Sequence, residues 1–265
     1  MGMGAEHAEE RLAFDITNPW WGEHVARYHY AASFVKGKRV LDVACGTGFG
    51  LEILAAHCDL LVGVDRDEKT LSEVRERILP PTQLIAADAC KLPFPDSFFD
   101  VAVSFETLEH LSDRSGFVQE LARVVAPMGV VILSTPNALV THPKNGKPYN
   151  PHHLYEYTPS ELSQMLLAEF GEVTLFGQVV DPRFVIPPFS DLQKQMPPTP
   201  WNRLGATIRR LLYRMPASMR DRVSRALWHH TFFPQKTDFQ FSRERVDDAA
   251  VLLAVCRAKS GRTNA

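Results

Sequence analysis

The sequence predicts an α/β fold, a mainly parallel sheet with helices on both faces. Three observations carry this prediction. Short apolar runs alternate with segments whose apolar residues recur at helical spacing. A glycine-rich turn, Gly46-Thr47-Gly48-Phe49-Gly50, follows the first apolar run. Acidic residues, Asp42, Asp65 and Asp88, mark the ends of three runs around that turn.

The elements follow in order. Val25, Tyr28, Ala32 and Val35 define a first helix over about 20–35. Arg39 to Val43 is a first buried strand. After the glycine turn a helix runs through Leu51, Leu54 and Ala55. Leu60 to Val64 is a second strand, ending at Asp65, and Leu71, Val74 and Ile78 share the next helix face. Leu84 to Ala87 is a third strand, Asp100 to Phe105 a fourth, and Phe117, Leu121 and Val124 mark a helix. Gly129 to Ser134 is a fifth strand. At Thr158-Pro159-Ser160-Glu161, a capping threonine, a proline suited to the first helical position and a glutamate able to reach back start a helix ending near Phe170. Val173 to Gly177 and Ala249 to Cys256 are the last strands.

Composition narrows the function classes. With 265 residues, 45% hydrophobic and 23% charged, the chain suits a folded domain with a sizeable core. Its 29 basic and 31 acidic residues leave a net charge of −2, which does not suggest a general nucleic-acid binder. No apolar run is long enough to span a membrane, and the start MGMGAEHAEERLAF does not read as a secretory signal. Cys45, Cys58, Cys90 and Cys256 form no CxxC pair and read as reduced, mostly buried thiols of a cytoplasmic protein.

Ligands of parallel sheets bind beyond the C-terminal strand ends, where the strand order reverses. The turn after strand one is G-x-G-x-G, not the G-x-G-x-x-G of dinucleotide sites, and by itself is equally a tight strand-to-helix turn. Asp65 is placed to accept ribose hydroxyls and Asp88 an adenine amino group, although either alone also suits a turn or helix cap.

VLDVACGTGFG, GVDRD, AADACKLPFPDSFFDVAVSFETLEHL and GVVILSTPN resemble the successive motifs of class I S-adenosylmethionine-dependent methyltransferases. The resemblance is close over 40–137 and implies a Rossmann-like seven-stranded sheet with the last strand antiparallel. Its implied cofactor is S-adenosyl-L-methionine. Asp42, Ala44, Gly46 and Gly48 would lie under its methionine part, Asp65 at its ribose and Asp88 near adenine, with their neighbours Arg66 and Ala89 also in the cofactor site. Phe105 and Glu106 would lie beside it after strand four. Residues 1–36 are expected to form an N-terminal helical cap, from which Arg27 or Tyr28 would meet the cofactor carboxylate, although ordinary amphipathic packing with Tyr28 on the apolar face also suits them. A finer resemblance, over EHVARYHYAASFVKGKRVLDVACGTGFG and STPN…NPHHLYEYTPSEL, is to methyltransferases of bacterial polysaccharide and glycan biosynthesis.

Methyl transfer to a sugar hydroxyl benefits from a base, and His110 and His153 are the candidates. His110 equally suits a loop cap, and His153, with Glu156, a locked loop. His142, His152 and His153 lack a convincing acidic partner, so no metal site is expected.

One domain, 1–265, is expected to carry an insertion at 181–238, proline-rich and then helical and basic. Trp201, Leu204, Ile208, Leu211 and Met215 share one helical face there, and Met219, Val223 and Leu227 another. From Lys194 to Arg225 it holds eight basic residues against Asp191 and Asp221. They read as solvated arginines, as a site for an acidic nucleotide- or lipid-linked acceptor, or as a membrane-surface helix.

The leading reading is a cytoplasmic methyltransferase acting on a hydroxyl of a sugar or glycan precursor. The alternatives are an amino-sugar N-methyltransferase, a natural-product or quinone O-methyltransferase, a non-catalytic cofactor-binding module and, more remotely, a nicotinamide dehydrogenase.

Overall fold

The structure, a computed structural model, describes residues 20–78, 80–141, 148, 150–184, 211–212 and 214–260. Its first half contains α1 (Trp21–Ala32), β1 (Arg39–Val43), α2 (Phe49–Ala55), β2 (Leu60–Asp65), α3 (Glu68–Arg75) and β3 (Thr82–Ala86). Then come β4 (Phe99–Phe105), a 3-10 turn (Leu108–His110), α4 (Arg114–Val124), β5 (Val125–Pro136) and the short α5 (Ala138–Thr141). The rest is α6 (Pro159–Glu169), β6 (Glu172–Val180), α7 (Ala217–Trp228), β7 (Phe239–Ser242) and β8 (Val251–Arg257).

The strands form one sheet in the order β3-β2-β1-β4-β5-β8-β6-β7. β1 pairs in parallel with β2 and β4, β2 with β3, and β4 with β5. β8 runs antiparallel to both β5 and β6, as the resemblance implies for the last strand. The count differs from the expected seven. The eighth strand is β7, a four-residue segment at the sheet edge, too short for alternation to reveal. Strand order reverses between β1 and β4, so their C-terminal ends frame the crevice.

The central strands are buried along nearly their whole length, as expected of a sheet covered on both faces. Leu41, Val62, Ala102, Val131 and Leu252 pack with Phe117 and Leu121 of α4 and Leu162 and Leu166 of α6. The expected α6 start is present in full. Thr158 accepts from the Glu161 amide, and the Glu161 side chain accepts from the Thr158 amide.

By compactness the chain divides into two units. One holds residues 1–14, 27–179 and 240–265, the other 15–26 and 180–239. In the second, the expected apolar face of α7 is buried only in part, Val223 packing against Leu212, Phe232 and Phe233. Met219 and Leu227 are more than half exposed, and the buried residues are Arg220 and Ser224. The Arg220 guanidinium lies 4.9 and 4.5 Å from the ring centroids of Phe232 and Phe233, so its planar face packs as an apolar body would. Residues 1–19 of the expected cap lie outside the described residues. So do the proline run 185–200, the first basic helix through Trp201, and Lys194, Arg203, Arg209 and Arg210.

All four cysteines are free, Cys45 and Cys256 buried and Cys58 and Cys90 half-buried. Among the described residues no helix is long and apolar enough to cross a membrane.

Candidate functional site

The glycine-rich turn is shaped by backbone conformations that few residues adopt. Gly46 and Gly48 have φ of 53° and 75°, and Ala44, just past β1, has φ of 60°. For alanine that conformation costs on the order of 1–2 kcal/mol, and such strain concentrates at functional sites. A side chain on Gly46 would meet nothing within 4 Å, so the turn is open on that side.

Asp65 organises the turn. Its Oδ2 accepts from the Gly46 amide at 2.9 Å and its Oδ1 from the Asp67 amide at 3.0 Å. The carboxylate thus lies where ribose recognition is expected while also acting as the loop anchor that a purely structural reading foresees. Arg66 follows it on the surface. Asp88 is exposed, its Oδ1 accepting from the Cys90 amide at 2.8 Å, with half-buried Ala89 between them. In the structure Asp88 is therefore first a turn cap.

Above the turn lies α1. The Tyr28 ring covers Gly50, where any Cβ would fall 2.0 Å from it, and meets Phe49 and Phe105 edge to face at 5.0 and 4.8 Å. Its hydroxyl donates to Asp42 Oδ2 at 3.0 Å. Asp42 is fully buried, and desolvation pushes its carboxyl up to about 8 against the opposing effect of the Tyr28 bond. The other oxygen, Oδ1, has no partner.

Arg27 is fully buried as well. Its Nη1 donates to Gln178 Oε1 at 2.9 Å and lies 3.8 Å from Glu106 Oε1, while Nε and Nη2 have no hydrogen-bond partner among the described residues. Glu106, with φ of 53°, accepts from the Ser134 hydroxyl at 2.6 Å. A buried guanidinium with unspent donors suits the carboxylate of an amino-acid moiety. That orphaned fork, the strained open turn and the Asp65 carboxylate fit the methionine and ribose parts of S-adenosylmethionine.

Next to Glu106 lies a second cluster. Glu109 is fully buried, and burial, then the charge of Glu106, pushes its carboxyl well above the usual range. Its Oε2 accepts from the Thr135 hydroxyl at 2.9 Å. His110 Nδ1 lies 3.2 Å from the His152 carbonyl oxygen, and the His110 and His153 rings meet edge to face at 4.8 Å. His153 Nδ1 is 2.5 Å from Glu156 Oε1, and its Nε2 is 3.0 Å from Asn150 Nδ2.

The structure thus brings together Arg27, Tyr28, Asp42, Ala44, Gly46, Gly48, Asp65, Phe105 and Glu106 around the ends of β1, β2 and β4. His110 and His153 form a neighbouring pair. Arg66 and Asp88 stand outside these contacts. Sequence reasoning passed over Glu109 and Gln178. Glu109 is visible as an acidic neighbour of His110, but its burial is not, and Gln178 reaches Arg27 from 151 positions away. His142 lies outside the described residues.

Residues 41–133 match the family described as "Methyltransferase domain". A probable S-adenosylmethionine-dependent methyltransferase of Mycobacterium tuberculosis is 36% identical over 170 residues, 64% of this chain and 62% of the relative. The chain therefore spans about 62% of that relative's length. The 27-O-demethylrifamycin SV methyltransferase of Amycolatopsis mediterranei is 34% identical over 103 residues, 37% of this chain and 38% of the relative. The YcgJ protein of Bacillus subtilis superposes with a TM-score of 0.58 at 20% identity, over 90% of this chain and all of that one, which shows a shared fold. Segment 41–133 is thus similar to a methyltransferase domain, and the Mycobacterium tuberculosis relative is named for its dependence on S-adenosylmethionine.

Proposed function

We propose that the protein is an S-adenosylmethionine-dependent methyltransferase that methylates a hydroxyl of a sugar or glycan precursor. The observation that carries the reading is the buried, half-satisfied Arg27 fork beside the strained turn of β1. The cofactor supplies a methyl group already activated on a sulfonium. The chain supplies position. Asp65 and the Gly46 amide hold the turn, Arg27 takes the carboxylate, and Tyr28 closes over Gly50 with its hydroxyl committed to Asp42. Arg66 accompanies Asp65 in the cofactor site, and Asp88 and Ala89 stand toward adenine in this reading.

Acceptance by oxygen is supported by the imidazole pair. His110 and His153 stand beyond Glu106, and each has its Nδ1 engaged by an oxygen, which puts the lone pair on Nε2; in His153 it accepts from Asn150 Nδ2 at 3.0 Å, a bond the acceptor hydroxyl would replace. An alcohol needs such assistance to lose its proton, whereas an amine does not. The rifamycin relative is named for an O-methylation, and the finer sequence resemblance favours a glycan acceptor. The basic residues of 181–238 suit an acceptor carrying phosphate.

Calorimetric titration with S-adenosylmethionine, S-adenosylhomocysteine and NAD tests the cofactor, and transfer of labelled methyl to nucleotide sugars and lipid-linked glycans tests the acceptor. Binding of the first two and not NAD is expected, with label appearing on an oxygen. Tight cofactor binding with label on nitrogen would replace the hydroxyl by an amine. Failure to bind S-adenosylhomocysteine would overturn the reading.

A further inference from the structure

We propose that Glu109, His110 and His153 bind one divalent transition-metal ion of the Zn²⁺ or Mn²⁺ kind. One ligand atom from each lies within 4.8 Å of the other two. Two imidazole nitrogens with a carboxylate oxygen form a donor set suited to such ions, with coordination positions left for oxygen ligands. Glu109 is the acidic partner that the histidines alone do not provide.

Three observations point to an ion rather than to chance proximity. Glu109 is fully buried, yet among the described residues its Oε1 has no hydrogen-bond partner, and it lies 3.9 Å from His110 Nε2. A buried carboxylate oxygen left so is costly, and a cation beside it removes the cost. The second observation is the tautomer of each ring. A carbonyl only accepts, so His110 Nδ1 carries the proton toward His152 O. Asn150 Nδ2 only donates, so His153 Nε2 carries a lone pair, and Nδ1–H faces Glu156. Nε2 is therefore the lone-pair nitrogen of both rings, and in His110 it is the one that faces Glu109. The third is the support behind His153. Glu156 is buried, accepts from His153 on one oxygen and from the Thr141 hydroxyl on the other. A carboxylate behind an imidazole is the arrangement that orients metal-bound histidines. The ion displaces the Asn150 amide nitrogen from His153 Nε2, while Asn150 Oδ1 accepts from the His152 amide at 3.0 Å.

The role of the ion rests on the methyltransferase reading. An acceptor hydroxyl oxygen on the ion loses its proton to water more readily. The new O–C bond then forms as the C–S bond breaks, its electron pair staying on sulfur. With the ion bound, the Nε2 lone pairs of both rings are taken up, so the assistance proposed above for the imidazoles passes to the ion and the proton goes to water.

The test uses the full chain stripped with EDTA. Zn²⁺ and Mn²⁺ are titrated calorimetrically, Co²⁺ is followed by its visible absorption, and S-adenosylhomocysteine is titrated separately. One equivalent of ion is expected to bind. Glu109→Gln, which keeps a partner for Thr135, and the partly exposed His110→Ala should each weaken it at least tenfold without changing S-adenosylhomocysteine affinity. S-adenosylhomocysteine binding with no ion uptake would overturn the site, as would variants that bind the ion like the wild type. Ion uptake without S-adenosylhomocysteine binding would sustain the site and remove the methyltransferase reading.

Discussion

Asp42 combines full burial, one hydrogen bond and a carboxyl pushed up to about 8 by desolvation. In the unfolded chain the same group titrates near about 3.9. Between those values the folded chain holds a proton that the unfolded chain has lost. Stability from this residue therefore falls as pH rises from about 4 to about 8 and is level above. Asp42→Asn should remove that slope. The check is denaturant unfolding of both proteins across this range. Asp100 and Glu120, held low by hydrogen bonds from Arg39 and Arg123, lose stability in the opposite direction as pH falls, but they cancel in the comparison. Parallel curves for the two proteins would show that Asp42 is ionised when folded. Asp65 gives the complementary experiment. Asp65→Ala removes the anchor of the Gly46 amide as well as the expected ribose contact, and should weaken S-adenosylhomocysteine binding by about 1–3 kcal/mol. An unchanged Kd in a folded variant would leave Asp65 a loop anchor alone.

At the scale of elements, start signals were the most legible. Thr158-Pro159-Ser160-Glu161 reads as a capping box, and both reciprocal bonds are present. Thr158→Ala should cost about 1 kcal/mol of stability, measured by urea unfolding. A loss below a few tenths would mean that Pro159 and packing alone fix the start of α6. Strands β1, β2 and β4 were legible because burial on both faces leaves continuous apolar runs. β7 was not, because four residues carry too little pattern, and β5 extends back through Val125 because pairing, not composition, sets its start. The face of α7 was misread because apolar spacing ranks Met219 and Leu227 above Arg220. Arg220 is buried by stacking on Phe232 and Phe233, which lie past the helix end. Arg220→Ala should therefore destabilise the unit of 15–26 and 180–239 by at least about 1 kcal/mol, and Met219→Ala by less than about 0.5. Equal losses, seen by hydrogen exchange across α7, would restore the apolar face.

For the whole molecule, the strand ends that meet at the point of reversed order belong to residues far apart in sequence. The glycine-rich turn and its surroundings were legible because their residues lie in a few contiguous motifs, each ending a strand. The Arg27–Gln178 contact and the Glu109–His153 proximity were not, since they depend on how β4, β6 and the segment after β5 come together in three dimensions. That distinction yields a prediction about where ligand binding is felt. A ligand that binds the folded chain stabilises it by RT ln(1 + [L]/Kd), about 2.7 kcal/mol at a hundredfold excess over Kd. For a chain of this size that corresponds to a rise in Tm of roughly 5–10 °C. S-adenosylhomocysteine should produce it and NAD should not. Hydrogen exchange should slow in 44–50, 65–67 and 105–107, the segments after β1, β2 and β4, and at Arg27 and Tyr28. The amides of α6, on the core side of the sheet, serve as the control. A uniform slowing would indicate general tightening without a local site, and slowing confined to α6 would place the ligand away from the strand ends altogether.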